Sequence, residues 1–255
     1  MLKIRVIPTL LYKDFGLVKG VNFNSSRRVG AVLPAIKIYN QRDVDELIFV
    51  DINANVGNAS IDLEVIKDIS KECFVPLTVG GGIDSCSKVE DLLMSGADKI
   101  SLNTAAFNNS NLITDIANRF GSQCVVVSID VRKNNNKNEW KCFSHSGRNP
   151  TDKDVISWAK EVESRGAGEI LLTSIDNDGT MQGYDLDLIN LVCQSVGIPV
   201  IASGGAGNYN DMILAITKSG ASAVAAASIF HFTKQTPLGL KSKLSNAGIP
   251  VRITF

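Results

Sequence analysis

The chain has 255 residues, 44% hydrophobic and 20% charged, enough to bury a sizeable core, which excludes a disordered, collagenous or disulfide-scaffold protein. Lys plus Arg and Asp plus Glu both total 26, so no net field draws nucleic acid or an anionic membrane, and any anion site must be built locally. Cys73, Cys86, Cys124, Cys142 and Cys193 include no CxxC pair and are odd in number, which predicts no zinc site, no disulfide framework and a reducing cytoplasm. The opening MLKIRVIPTLLYKD meets charges early, and the longest uncharged small-apolar run, Gly220 to Phe230, is too short for a membrane span.

In chain order, short β-branched runs alternate with amphipathic stretches: IRVIPTLL, ELIFVDI, VPLTVG, KISLN, CVVVSID, EILLTSID, IPVIAS and SAVAAAS. Helical spacing falls at Leu33 to Tyr39, Asp84 to Ser95, Asn111 to Phe120, Asp154 to Arg165, Asp185 to Ser195 and Asn208 to Ser219, often opened by a capping Asp or Asn. Eight such units in 255 residues predict a (β/α)8 barrel. A doubly wound sheet is the rival, but GxGxxG is missing after the first strand. The polar stretch RKNNNKNEWKCFSHSGRNP after Asp130 reads as a decorated loop, with a short hairpin through Trp140 and Phe143.

An internal repeat sharpens the reading. VGGGI followed by SGADKISLNTAAF recurs 124 residues later as SGGAG followed by SGASAVAAASIF. The chain therefore reads as two half-barrels, about 1–123 and 124–255, forming one domain because neither half closes alone.

The repeat also locates candidate anion sites. Gly81 and Gly82 follow one strand, Gly204 and Gly205 another, and glycine lets backbone N–H groups close on a phosphate. Asn103-Thr104 and Ala227-Ser228 open helices at the next strand of each half. The bland alternative is that these glycines only make tight turns. Two sites imply a ligand with phosphates at both ends. At strand C-termini stand Asp51, Asp130, and Asp176 with Asp178 and Gly179, where barrel enzymes carry catalytic groups; Asp130 is the strongest acid-base candidate. Each could instead cap its own loop. Thr173 and Ser174 could hold substrate hydroxyls. His145 and His231, the only histidines, are read as an exposed loop residue and a residue packed beneath the last helix. No metal or organic cofactor is expected.

At the opposite, N-terminal strand ends, Arg5, Glu46, Lys99 and Glu169 alternate in sign over the first, second, fourth and sixth strands. Facing inward they would form a ring of ion pairs, an arrangement that is costly unless mutually paired. Spacing alone favours solvated strand starts.

Taken together, VDELIFVDI, PLTVGGGI, GADKISLNTAAF, FGSQCVVVSID, RGAGEILLTSIDNDGT, GYD, IASGGAG and ASIFHF resemble the cyclase subunit family of imidazole glycerol phosphate synthase, HisF. The resemblance implies a barrel that takes ammonia from a separate HisH-like glutaminase docked on its N-terminal face. Arg5, Glu46, Lys99 and Glu169 then match an ammonia gate, Asp98 a docking carboxylate, and Lys19 a mobile first-loop lysine. In that family two strand-end carboxylates cyclise a two-phosphate ribosyl-aminoimidazole substrate. Here Asp130 keeps one role while PTLLYKDFG puts Leu11 where the other Asp stands, with Asp14 nearby on the loop.

The start RVIPTLLYK resembles a branch that lacks the first Asp and helps install acetamidino groups on surface-polysaccharide sugars. That branch is the expectation, since leucine transfers no proton. The histidine-pathway cyclase and a catalytically idle barrel that activates a glutaminase stand as alternatives.

Overall fold

The computed structural model describes residues 3–24, 26–54, 61–134 and 139–253. Residues 135–138, inside the polar stretch after Asp130, lie outside these. The strands are β1 (Arg5–Lys13), β2 (Gly16–Gly20), β3 (Ser26–Gly30), β4 (Leu47–Asp51), β5 (Leu77–Gly80), β6 (Lys99–Leu102), β7 (Val125–Asn134), β8 (Glu139–Ser144), β9 (Asn149–Asp154), β10 (Glu169–Ser174), β11 (Val200–Ser203) and β12 (Ala223–Ala226). Parallel pairing runs β1-β4-β5-β6-β7-β10-β11-β12 and returns to β1, closing the predicted eight-stranded barrel. The helices between them are α1 (Val32–Gln41), α2 (Leu63–Glu72), α3 (Cys86–Met94), α4 (Thr104–Asn108), α5 (Asn111–Phe120), α6 (Val155–Ser164), α7 (Leu186–Cys193), α8 (Tyr209–Thr217), α9 (Ser228–Phe232) and α10 (Pro237–Asn246). All six helices expected from spacing are present; α2 and α10 are additions, the first capped by Asp62 and the second opened by Thr236 and Pro237.

Strand alternation sorts the side chains. On β7, Val125, Val127, Ile129 and Val131 belong to the outer core beneath the helices, while Val126 packs inside the barrel. The inner cluster of Ile7, Ile48, Val126, Leu171, Ile201, Ala223 and Ala225 draws on six strands and fills the barrel's waist. Polar inward positions lie below and above this apolar layer.

The two halves share local geometry at the repeat's spacing. Gly81 and Gly205 have φ of +118° and +113°. Asn103 (φ −130°, ψ −86°) and Ala227 (φ −125°, ψ −65°) precede α4 and α9 in nearly the same unusual conformation.

The β2–β3 extension is also absent from the sequence reading. β1 continues past the barrel, turns at Asp14-Phe15 with both residues at positive φ, and pairs with β2, which pairs with β3. The expected first loop is thus a hairpin. Asp14 is exposed and accepts from Asn53 Nδ2 at 2.6 Å, so it stands off the cavity wall rather than in the place of the missing carboxylate.

Candidate functional site

At the C-terminal ends of the strands a cavity of about 760 Å³ opens. Leu11, Lys19, Gly81, Gly82, Asn103, Thr104, Asp130, Thr173, Asp178, Gly179, Gly204, Gly205, Ala227 and Ser228 all line it. Three expected residues do not. Asp51 and Ser174 follow Phe49 and Leu172, outward-facing residues of their strands, by two positions, so alternation turns them from the lumen. Asp51 accepts from Asn53 N at 2.9 Å, Ser174 Oγ meets Asn177 Oδ1 at 3.2 Å, and Asp176 accepts from Lys133 N at 2.9 Å. These side chains organise loops.

Asp130 is buried and faces the cavity. Its Oδ1 accepts from Ser128 Oγ at 3.2 Å and its Oδ2 from Asn103 Nδ2 at 3.2 Å. Burial, opposed by the Ser128 bond and reinforced by nearby Asp178, pushes its pKa up to about 7. At neutral pH it can therefore both accept and return a proton. Leu11 sits on β1, four strands around the eight-stranded barrel from β7 in either direction, so the strand-end position across the barrel from Asp130 is apolar.

The Asp130 environment predicts a stability effect with a definite sign. A carboxyl whose folded pKa is raised is penalised once the unfolded chain ionises, so the penalty is absent below about pH 4 and complete above about pH 7. Since each tenfold change in proton affinity is worth about 1.4 kcal/mol, Asp130→Asn is expected to be more stable than the parent by roughly 2–4 kcal/mol at pH 8. At pH 4 the two should be alike. Urea unfolding at both pH values checks this.

Backbone packing by itself requires glycine at the turns after β5 and β11, as the tight-turn alternative has it. A Cβ on Gly81 would collide with the Asp51 carbonyl, and one on Gly205 with the Gly183 carbonyl. Beside the second turn, Ser228 Oγ is buried with no partner among the described residues, as is Thr9 Oγ1 on the β1 wall. Both are spare groups for a polar ligand.

The β2–β3 hairpin closes one side of the mouth. Buried Lys19 pairs with Asp178 at 2.6 Å, Asn22 N donates to Asp178 O at 2.8 Å, and Asn22 Nδ2 reaches the carbonyls of Ile175 and Asp176. Arg27 stacks on Phe232 of α9 at 4.0 Å. His231, on the same helix, packs edge-on to Tyr39 and is held down at a pKa of about 4 by burial and by Lys19.

His145 corrects its sequence reading. It is half-buried on the cavity wall, not an exposed loop residue. Lys13 and Arg148 also line the mouth and were not singled out from sequence. The β7–β8 hairpin brings the 145–148 turn over the barrel, which residue spacing alone does not reveal.

At the floor, Arg5 Nη1 lies 2.8 Å from Glu46 Oε1 and 2.7 Å from Glu169 Oε1. Lys99 Nζ lies 3.1 Å from Glu46 Oε2 and 3.3 Å from Glu169 Oε1. The four side chains form the alternating inward ring, against the solvated alternative that spacing favoured. Burial works against the Arg5 charge, but Glu46 and Glu169 outweigh it and raise its pKa. Asp98 is exposed beside the ring, with Oδ2 accepting from Leu77 N at 2.8 Å. Among the described residues no group of three or more His, Cys, Asp or Glu could hold a metal, and no helix is long and apolar enough to cross a membrane.

A closed barrel whose mouth gathers a buried carboxyl, two glycine turns and spare hydroxyls is a small-molecule enzyme of the (β/α)8 class. The comparisons with known proteins agree. Residues 5–236 match the family model described as histidine biosynthesis protein. The imidazole glycerol phosphate synthase subunit HisF of Pelodictyon phaeoclathratiforme is 47% identical over 253 residues, covering 99% of this chain and all of that protein. The subunit of the same name from Chlorobaculum parvum is 48% identical over the same span. The chain belongs to the HisF family and is an enzyme of that type.

Proposed function

We propose that this HisF-type barrel is the ammonia-using synthase subunit of a glutamine-dependent complex in the cytoplasm, acting as one domain of two half-barrels. A HisH-like glutaminase docks on the floor, ammonia passes the ring and the apolar waist, and it adds to a phosphorylated acceptor beside Asp130. Support for the route comes from Glu169 Oε2, a buried acceptor with no partner among the described residues, which suits a passing N–H donor. Support for docking comes from exposed Phe74, just past the end of α2, and Met94 at the end of α3, on the floor side that also carries the Asp98 carboxylate.

The observation that carries the acceptor chemistry is the apolar Leu11 opposite Asp130. A cavity with one strand-end carboxyl instead of two is suited to adding ammonia to a carbonyl-derived carbon and poorly suited to closing an imidazole ring. The favoured reading is amidine (acetamidino) formation on a sugar for surface polysaccharide, with one acceptor end at Gly81, Gly82, Asn103 and Thr104 and the other at Gly179, Gly204, Gly205, Ala227 and Ser228. A second reading, the cyclase of histidine biosynthesis, is favoured by the 47–48% identity with synthase subunits over nearly the whole chain. A merely scaffolding barrel would leave the buried Asp130 and the paired ring without purpose.

The test of the ammonia route is Lys99→Ala, made in a Leu11→Asp background so that turnover of the two-phosphate ribosyl-aminoimidazole substrate reports nitrogen arrival. With a HisH-type glutaminase, glutamine-driven turnover is expected to fall at least about tenfold relative to ammonium-driven turnover, since the gate's ion pairs act on entry and not on chemistry. An unchanged ratio would overturn the gate.

A further inference from the structure

His145 occupies a costly conformation. It, Ser146 and Gly147 run consecutively at φ +51°, +56° and +75°, two of them non-glycine residues in the left-handed region. Such backbone persists where the surroundings over-determine it and clusters at functional sites. The surroundings here are specific. His145 N donates to Thr104 Oγ1 at 2.9 Å, Thr104 Oγ1 lies 3.3 Å from Asn103 Oδ1, and Asn103 Nδ2 holds Asp130 Oδ2. Asn103 Nδ2 also reaches the carbonyl of Phe143, the residue paired with Asp130 across β7 and β8. One hydrogen-bonded chain therefore fixes both His145 and Asp130 on the cavity wall.

The ring is fixed as well. Nδ1 lies 3.0 Å from Ser144 Oγ and 3.3 Å from Asn149 Nδ2, and Ser144 Oγ donates to the Asn149 carbonyl at 3.4 Å. Ser144 Oγ can accept from Nδ1–H, whereas the Asn149 amide nitrogen can only donate to a bare Nδ1, so either neutral tautomer keeps one of these contacts; in the charged ring Nε2 carries a proton. Nε2 has no partner among the described residues, and the residue lines the cavity. Lys13 and Arg148 share the rim, and the one other histidine is packed against Tyr39.

We infer that His145 is the second proton-transfer residue of this site, supplying through Nε2 what Leu11 cannot. The inference rests on the proposed ammonia addition. As ammonia nitrogen bonds to the acceptor's carbonyl carbon, the C=O π pair moves to oxygen and takes the Nε2 proton of charged His145. Asp130 carboxylate takes a proton from the new nitrogen, giving a neutral carbinolamine. Return of that proton from Asp130 to His145 through solvent resets both groups, with no net gain or loss of protons and no redox change.

The test is a double-mutant cycle on ammonium-driven turnover of the two-phosphate ribosyl-aminoimidazole substrate. Asparagine tolerates left-handed backbone, so His145→Asn keeps the turn while removing proton transfer. In the native Leu11 background it is expected to lower kcat roughly 30-fold or more with little change in KM, and His145→Gly is expected to regain turnover with added imidazole. With Leu11→Asp the loss should be much smaller, because a carboxyl has taken the role. Equal losses in both backgrounds, or no imidazole rescue, would overturn the assignment, whereas native turnover matching Leu11→Asp would instead overturn the reading of Leu11. If native turnover is too slow to follow, nitrogen NMR decides, with the two histidines distinguished by His145→Asn. Inorganic phosphate should then shift the His145 Nε2 signal saturably, and no shift would count against it.

Discussion

Asp130→Asn is expected to lower ammonium-driven and glutamine-driven turnover alike, by roughly 10²- to 10⁴-fold, the usual cost of losing a positioned general base. The equality is the informative part. A defect in the ring or in docking spares free ammonium, whereas a defect at the reacting centre cannot. Asparagine keeps the size of the side chain and can still meet Ser128 and Asn103, so a fold change does not account for the loss. The same variant is expected to be the more stable protein at pH 8, because the buried charge is gone. Lower activity with higher stability separates a functional carboxyl from a structural one. Retained activity would show that another group is the base. Parallel rates with both nitrogen sources, beside unfolding curves, provide the check.

Leu11→Asp is expected to raise turnover of the two-phosphate ribosyl-aminoimidazole substrate by roughly 10²- to 10⁴-fold, the same range in the other direction. Leu11 lines the cavity next along the inward face of β1 from Thr9, which needs no backbone change to present a carboxylate. The new group would be only partly buried, so its ionisation is tolerable. The result would mean that the present chain keeps the HisF cavity and lacks one group for ring closure.

Much of this architecture is legible in the sequence. Eight β-branched runs and a 124-residue repeat are global patterns, and they survive local ambiguity. The inward or outward direction of a strand-end residue is also legible, through parity. Glu169, Leu171 and Thr173 share the inward face, so Ser174 turns away; Glu46, Ile48 and Val50 do the same to Asp51. Applied strictly, that rule removes both from the site. The Asp14-Phe15 turn was hidden because it lacks the Asn-Gly or Asp-Gly pair that announces a two-residue hairpin. His145 was hidden for a different reason. Its place depends on a long-range contact with Thr104, 41 residues earlier, which no local pattern encodes. The ring is intermediate: its residues and signs were visible, but mutual pairing appears only when four strands converge.

On the proposed function, this HisF-family barrel delivers ammonia to an acceptor other than the imidazole precursor. The most direct measurement is steady-state turnover of the two-phosphate ribosyl-aminoimidazole substrate by the native barrel with saturating ammonium, beside Leu11→Asp prepared identically. A native rate at least about 100-fold below the variant is the predicted result. Equal rates, with the native protein forming imidazole glycerol phosphate efficiently, would contradict the claim and assign the chain to histidine biosynthesis.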